Sequence, residues 1–118
     1  SFLVEVNGKA IFHAGDFNWW DWTGDTRENR KLAENGFRKQ MKRLAGRSFD
    51  LAFFPVDGRL GPSMERGAKV FCAETHPKAL VTMHSVGYPA WQPSADFFEE
   101  GREIPVWSPQ TAGEQHSF

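Results

Sequence analysis

Several things are scarce in this chain of 118 residues. Cys72 is the only cysteine, which excludes an internal disulfide and a cysteine-rich zinc knuckle and fits a reducing cytoplasmic setting. No apolar run approaches the roughly 20 residues that cross a bilayer, and no signal-peptide pattern stands at the front, so no membrane partner is expected. Charge of one sign is missing too: 14 Lys and Arg face 15 Asp and Glu, for a net charge of −1. That removes the general electrostatic attraction on which nucleic-acid binding rests, and no nucleic-acid partner is expected. Tyrosine occurs once, against eleven Phe and five Trp, so the aromatic content is apolar bulk rather than hydroxyl chemistry. Apolar content of 40% and charged content of 25% suit one compact globular domain. The opening Ser1-Phe2-Leu3-Val4 is already strand-like and reads as a piece of something longer.

Two apolar runs, 2–6 and 9–13, flank Asn7-Gly8, the sequence signal for a two-residue hairpin. Asp25 or Thr26 can cap a following helix whose apolar stripe is Ala33, Phe37, Met41 and Leu44, with Gly46 as its stop. The basic run 38–43 is the solvated face of that helix. Residues 49–56 form a nearly continuous apolar run, read as a buried parallel strand ending at Pro55. Ser63 then caps a short helix over 64–74, the segment 79–83 is a strand, 94–100 a short helix with Phe97 and Phe98 inward, and 104–107 a last strand. The order β-β-α-β-α-β-α-β predicts an α/β fold: a mixed sheet with an N-terminal β-hairpin and helices on one face. The domain spans 2–107, followed by an irregular tail over 108–118. Strands that are apolar on both sides leave the second sheet face in need of cover.

The candidate chemistry gathers at strand ends. Ile11-Phe12-His13-Ala14-Gly15-Asp16 releases a carboxylate beside a glycine after one strand, and Leu80-Val81-Thr82-Met83-His84 delivers an imidazole after another. Functional groups collect at the carboxyl ends of parallel strands, and a carboxylate with an imidazole suits a divalent metal. The competing reading is that Asp16 caps a turn and His84 is bonded within a loop. His13 is either a support or general acid beside Asp16, or a hydrogen-bonded strand-end histidine. Arg59 either clamps a substrate carboxylate or phosphate, or pairs with Asp57 to fix its own loop. Trp19, Trp20 and Trp22 either line or gate a pocket, or pack as a lid or subunit contact. His76 is expected to be solvated, His116 in the tail to have no role, and Cys72 to be a buried thiol.

The stretches 9–16, 50–56 and 80–84 together resemble the C-terminal half of the metallo-β-lactamase superfamily. They are most similar to its branch of small metal-dependent hydrolases that includes ascorbate-phosphate-lactonase-like proteins. In that family a hairpin feeds a Gly-Asp whose aspartate bridges two metal ions, and a strand ending in Pro-Met-His supplies a last histidine ligand. The resemblance implies that Asp16 is the bridging aspartate and His84 the terminal histidine, with Thr82 where the proline usually stands. It covers roughly 2–107. The family signature His-x-His-x-Asp-His belongs to the N-terminal half of an αββα sandwich and is missing here. The resemblance therefore implies half a sandwich and a chain inactive by itself. It would be completed by an N-terminal half or a second chain over the sheet face, with zinc first, manganese or iron next, as metal and a small molecule as substrate. The alternative is a non-enzymatic half-domain that dimerises through its sheet face and binds a partner or small ligand through the Trp loop. A weaker third reading is a carbohydrate-binding module built on the same three tryptophans.

Overall fold

The computed structural model describes residues 1–83, 91–110 and 113–118. Strands β1 (Phe2–Val6) and β2 (Lys9–His13) pair antiparallel across Asn7-Gly8. Both turn residues have positive φ, 51° and 76°, as a type I′ turn demands and as Asn-Gly permits. β3 (Leu51–Pro55), β4 (Leu80–Met83) and β5 (Val106–Trp107) continue the sheet in parallel, in the order β1-β2-β3-β4-β5. The crossovers β2 to β3 and β3 to β4 carry α1 (Arg27–Leu44) and α2 (Arg66–Thr75). Each step moves the same way across the sheet, so right-handed connections put both helices on one face.

Register sorts the strand residues into two faces. One row is Leu3, Phe12, Ala52, Leu80 and Val106; its neighbour is Phe2, His13, Phe53, Val81 and Trp107. Leu3 on the outer strand is exposed, while Phe12, Ala52, Leu80 and Val106 of the first row pack under the helices with Phe37 and Met41 of α1 and Phe71 of α2. At its heart Phe71 stacks on Phe54, Phe12 and Phe49, with ring centroids 4.6, 5.3 and 6.2 Å away. Burying a phenylalanine fully is worth about 1.5–3 kcal/mol over leaving it exposed, so this cluster is the main apolar anchor of the sheet. The second face is barer: Phe2, Val4 and Val6 are exposed, and cover increases only toward β4, where Val81 is buried.

Local choices explain the element ends. The Thr26 hydroxyl accepts the Asn29 N–H at 3.1 Å and caps α1, a contact worth about 1 kcal/mol. Gly46, with φ +83°, takes the chain out of the helix. Asp50 accepts the Ala10 N–H at 2.8 Å and pairs with Lys78, locking the start of β3 to β2. The Ala10 hydrogen bond, followed by Lys78, holds its carboxyl below the usual range.

Several expectations at the element ends need correction. Residues 58–63 form two 3-10 turns broken at Gly61 within the loop after β3, and α2 starts at Arg66 rather than Met64. Ser63 does not cap it, because its buried hydroxyl points at Asp21 instead, 3.3 Å away. Residues 94–100 form no helix. Phe97 N–H donates to Ser94 C=O and Arg102 N–H to Glu99 C=O, two separate turns. Seven residues closed by Gly101 are too few to meet the cost of nucleation, and Glu65 already holds Ser94 by its N–H and hydroxyl. β5 begins at Val106, not Ile104. No helix of the described residues is long and apolar enough to cross a membrane.

Asp21 ties the helices together. Its buried carboxylate accepts from Arg30 Nε at 2.6 Å and Nη2 at 3.1 Å, from Arg66 Nη1, and from Ser63. The Arg30 hydrogen bond is the main reason its pKa falls below the ordinary carboxylate value, against the opposing pull of burial. A group depressed in the folded state stabilises fully above its unfolded pKa, and that contribution fades as pH falls through the folded pKa. Asp21→Ala should therefore cost about 2 kcal/mol at pH 7, less than a fully buried pair because both guanidiniums reach water. In urea unfolding, the gap between variant and parent should shrink below about pH 4.

Candidate functional site

The ends of β2, β3 and β4 share one edge of the sheet. Ala14 N–H donates to Phe53 C=O at 2.9 Å, carrying the β2–β3 ladder one residue past β2. Gly15 then turns with φ +63°, and Asp16 emerges exposed beyond the last ladder bond. Val56 N–H donates to Met83 C=O at 3.0 Å, so β3 and β4 finish side by side. His84 follows Met83 and lies outside the described residues, as do 85–90.

Asp16 is held by its backbone. Its carbonyl accepts the Trp20 indole N–H at 2.8 Å. Its carboxylate makes no hydrogen bond or ion pair with other described residues and is open to a cation. His13 does not contact that carboxylate. Its Nδ1 accepts the Gly15 N–H at 3.0 Å, which assigns the proton of the neutral ring to Nε2. The ring is stacked between Phe2 and Phe53, at 4.9 and 5.3 Å, on the barer sheet face. His13 thus shapes the turn that presents Asp16.

Asp57 is fully buried and binds Arg59 three ways: the backbone N–H at 2.9 Å, Nε at 3.0 Å and Nη2 at 2.6 Å. The planar fork matches the carboxylate, so the pair stiffens the loop after β3, and the Asp57 charge is already answered by a cation. Of the two readings of Arg59, the structure contains the pairing with Asp57. The guanidinium also stands 5.8 Å from the Trp22 ring.

The three tryptophans divide. Trp19 packs on Phe37 at 5.9 Å, with the guanidiniums of Arg38 and Arg66 over it at 5.0 and 5.8 Å. Trp20 and Trp22 stack on each other at 6.1 Å, and Trp22 is 39% exposed. A shallow depression of about 310 Å³ runs between this loop and α1, bordered by Asp16, Trp20, Gly36, Phe37 and Gln40. Among the described residues no group of three or more His, Cys, Asp or Glu converges as a metal cage. Asp16 is the one described group at this edge whose donor atoms and exposure suit a cation.

Two contributors escape sequence reading. Asp21 has partners 9, 42 and 45 residues away, and nothing local announces them. Gly67 opens α2 where the Trp loop crosses it: an added Cβ would lie 2.0 Å from Asn18 Oδ1 and 2.9 Å from the Trp19 backbone N. A glycine in a helical first turn is the available signal, since close approach is what it permits. Asn18 is buried there, and neither its amide atoms nor the Trp19 Nε1 has a hydrogen-bond partner among the described residues.

No family model and no solved structure matches the chain. It is similar to a UPF0173 metal-dependent hydrolase of Heliobacterium modesticaldum, 33% identical over 88 residues. That match takes in 75% of this chain and 31% of the relative, so the chain spans about a third of the length of this curated relative.

Gly67→Ala should destabilise by about 1–3 kcal/mol through overpacking, although helix propensity alone favours alanine by about 1 kcal/mol. Thermal unfolding of G67A against the parent decides the sign, and Asn18→Ala added to G67A should recover part of the loss.

Proposed function

We propose that this chain is the C-terminal part of a metal-dependent hydrolase of the metallo-β-lactamase type, holding part of a metal centre that another segment completes. The observation that carries the reading is the similarity to a metal-dependent hydrolase over 75% of the chain. It agrees with an exposed, uncommitted carboxylate placed at the end of β2 by a His13-supported Gly15 turn. The family resemblance adds His84 as the second ligand.

A divalent metal at this edge, zinc in the first instance, supplies a polarised water and charge stabilisation for hydrolysis of a small-molecule substrate. The chain's own residues do the positioning. Asp16 offers oxygen ligands, and His13 and Trp20 fix its backbone from either side. Asp57 and Arg59 stiffen the neighbouring loop. Two ligands alone give a weak site, so the remaining ligands come from the missing segment. That segment, an N-terminal half or a second chain, lies over the face carrying Phe2, His13 and Phe53.

A second reading is favoured by the exposed Phe2, Val4 and Val6 on β1: a non-enzymatic half-domain that pairs with its own copy through this face and uses the Trp loop for a partner. Light scattering and elemental analysis separate the two. The hydrolase reading expects little metal on the isolated chain and a stoichiometric metal content once the longer protein is made. In that protein, Asp16→Ala and His84→Ala should each lower both metal content and hydrolysis by about a hundredfold or more. A metal-free, inactive long form, or an unaffected D16A variant, would overturn it.

A further inference from the structure

A cavity of about 480 Å³ opens between the last turns of α2 and the segment 96–104. It lies at the opposite end of the sheet from Asp16, because α2 runs back against the strands and its last turn stands where β4 is about to begin. The volume is within the range of about 300–1,000 Å³ typical of small-molecule sites. Its inner wall is apolar: Cys72 and Phe97 are buried, and Phe98 and Ile104 pack half-buried against the core.

The wall is built rather than accidental. Phe97 is wedged edge-on between Trp91 and Phe98, at 5.0 and 4.7 Å. The Trp91 indole N–H donates to Glu65 at 2.9 Å, and Ser94 donates to the same carboxylate. A single acid at the start of α2 thus fixes the segment that faces the end of the helix.

The mouth carries His76, Arg102 and Lys69, with Asp96 and Glu99. His76 closes α2 in the left-handed region, with φ 48° and ψ 58°. Glycine is the usual residue for that stop. A histidine there carries a strain of about 1–2 kcal/mol, and the imidazole it brings has Nδ1 3.5 Å from Arg102 Nη1. Asp96 and Glu99 also border the cavity and are 82% and 75% exposed, against 46% for Lys69 and 61% for Arg102. Their pairings are long, Lys69 to Asp96 at 3.4 Å and Arg102 to Glu99 at 3.6 Å. Exposed pairs of this kind contribute at most about 1 kcal/mol, so the cations can change partner readily.

We propose that this cavity binds a small amphiphilic carboxylate, its apolar body against Phe97, Phe98 and Ile104 and its head at Arg102 and His76. The site uses none of the residues of the proposed metal centre and stands or falls separately from it.

Cys72 is the only cysteine and lines the cavity, so its modification by methyl methanethiosulfonate reports occupancy. Burial pushes the thiol up to about 12, which makes the reaction slow and easy to time at alkaline pH. Decanoate should slow it at least fivefold at saturation and bind one per chain by calorimetry. Ala73→Phe, which fills the cavity from an exposed helix position, should abolish the decanoate effect. Arg102→Ala, and 1-decanol in place of decanoate, should each weaken binding about tenfold. No slowing by decanoate, or an undiminished effect in A73F, overturns the site. Equal action of decanol, or an unchanged R102A, overturns the anionic head. Protection that grows with protein concentration in the absence of decanoate assigns the cavity to contact between copies and also overturns the proposal.

Discussion

One carboxylate decides how the helical layer is assembled. Asp21 sits in the loop after β2 and takes hydrogen bonds from Arg30 on α1, Arg66 on α2 and Ser63 between them. An anion in that position cannot be left unpaired away from water, so the two helices must bring their guanidiniums to it. The consequence reaches the sheet. With α1 and α2 pinned to a common point, Phe37, Met41 and Phe71 come down on Phe12, Ala52 and Phe54 as one layer. The same loop is thereby pulled across α2, which is why Gly67 meets Asn18 so closely.

The loop between Asp16 and Asp21 therefore has a buried inner side and an outer side nearer solvent. Asn18, Trp19 and Asp21 are committed to packing and charge pairing, whereas Asp16, Trp20 and Trp22 stand toward solvent or the sheet edge. A turn supported this way keeps its backbone position without spending the Asp16 carboxylate on structure, which is what the metal-ligand role proposed for it would require.

Much of the framework could be read from residue order, and the reasons are local. Asn7-Gly8 dictates a hairpin through its positive φ values, and the spacing of Phe37, Met41 and Leu44 dictates a helix face. The placement of the helices on one face followed from the alternation of strands and helices after the hairpin, whereas the strand order came from the structure. What could not be read depended on distant partners. Ser63 looked like a cap by its position, but Asp21 claims its hydroxyl across 42 residues. Residues 94–100 looked helical by their pair of phenylalanines, but the pull of Glu65 on Ser94 and Trp91 sets their path. At the candidate site, the end of β2 and the turn at Gly15 were legible, and so was the choice between the two roles of Arg59. The choice itself needed Asp57 to be placed fully inside.

β1 is an outer strand of the sheet, and Phe2, Val4 and Val6 are exposed along it. Glu5 and the flanking Lys9 are the only charges on the hairpin. An outer strand of this kind lacks the lysines, prolines or bulges that usually blunt it. Its unpaired amides and carbonyls can template further strands, so handling at high concentration should favour ribbon-like self-association that begins at this margin. A partner that shielded this strand would act here as a solubiliser.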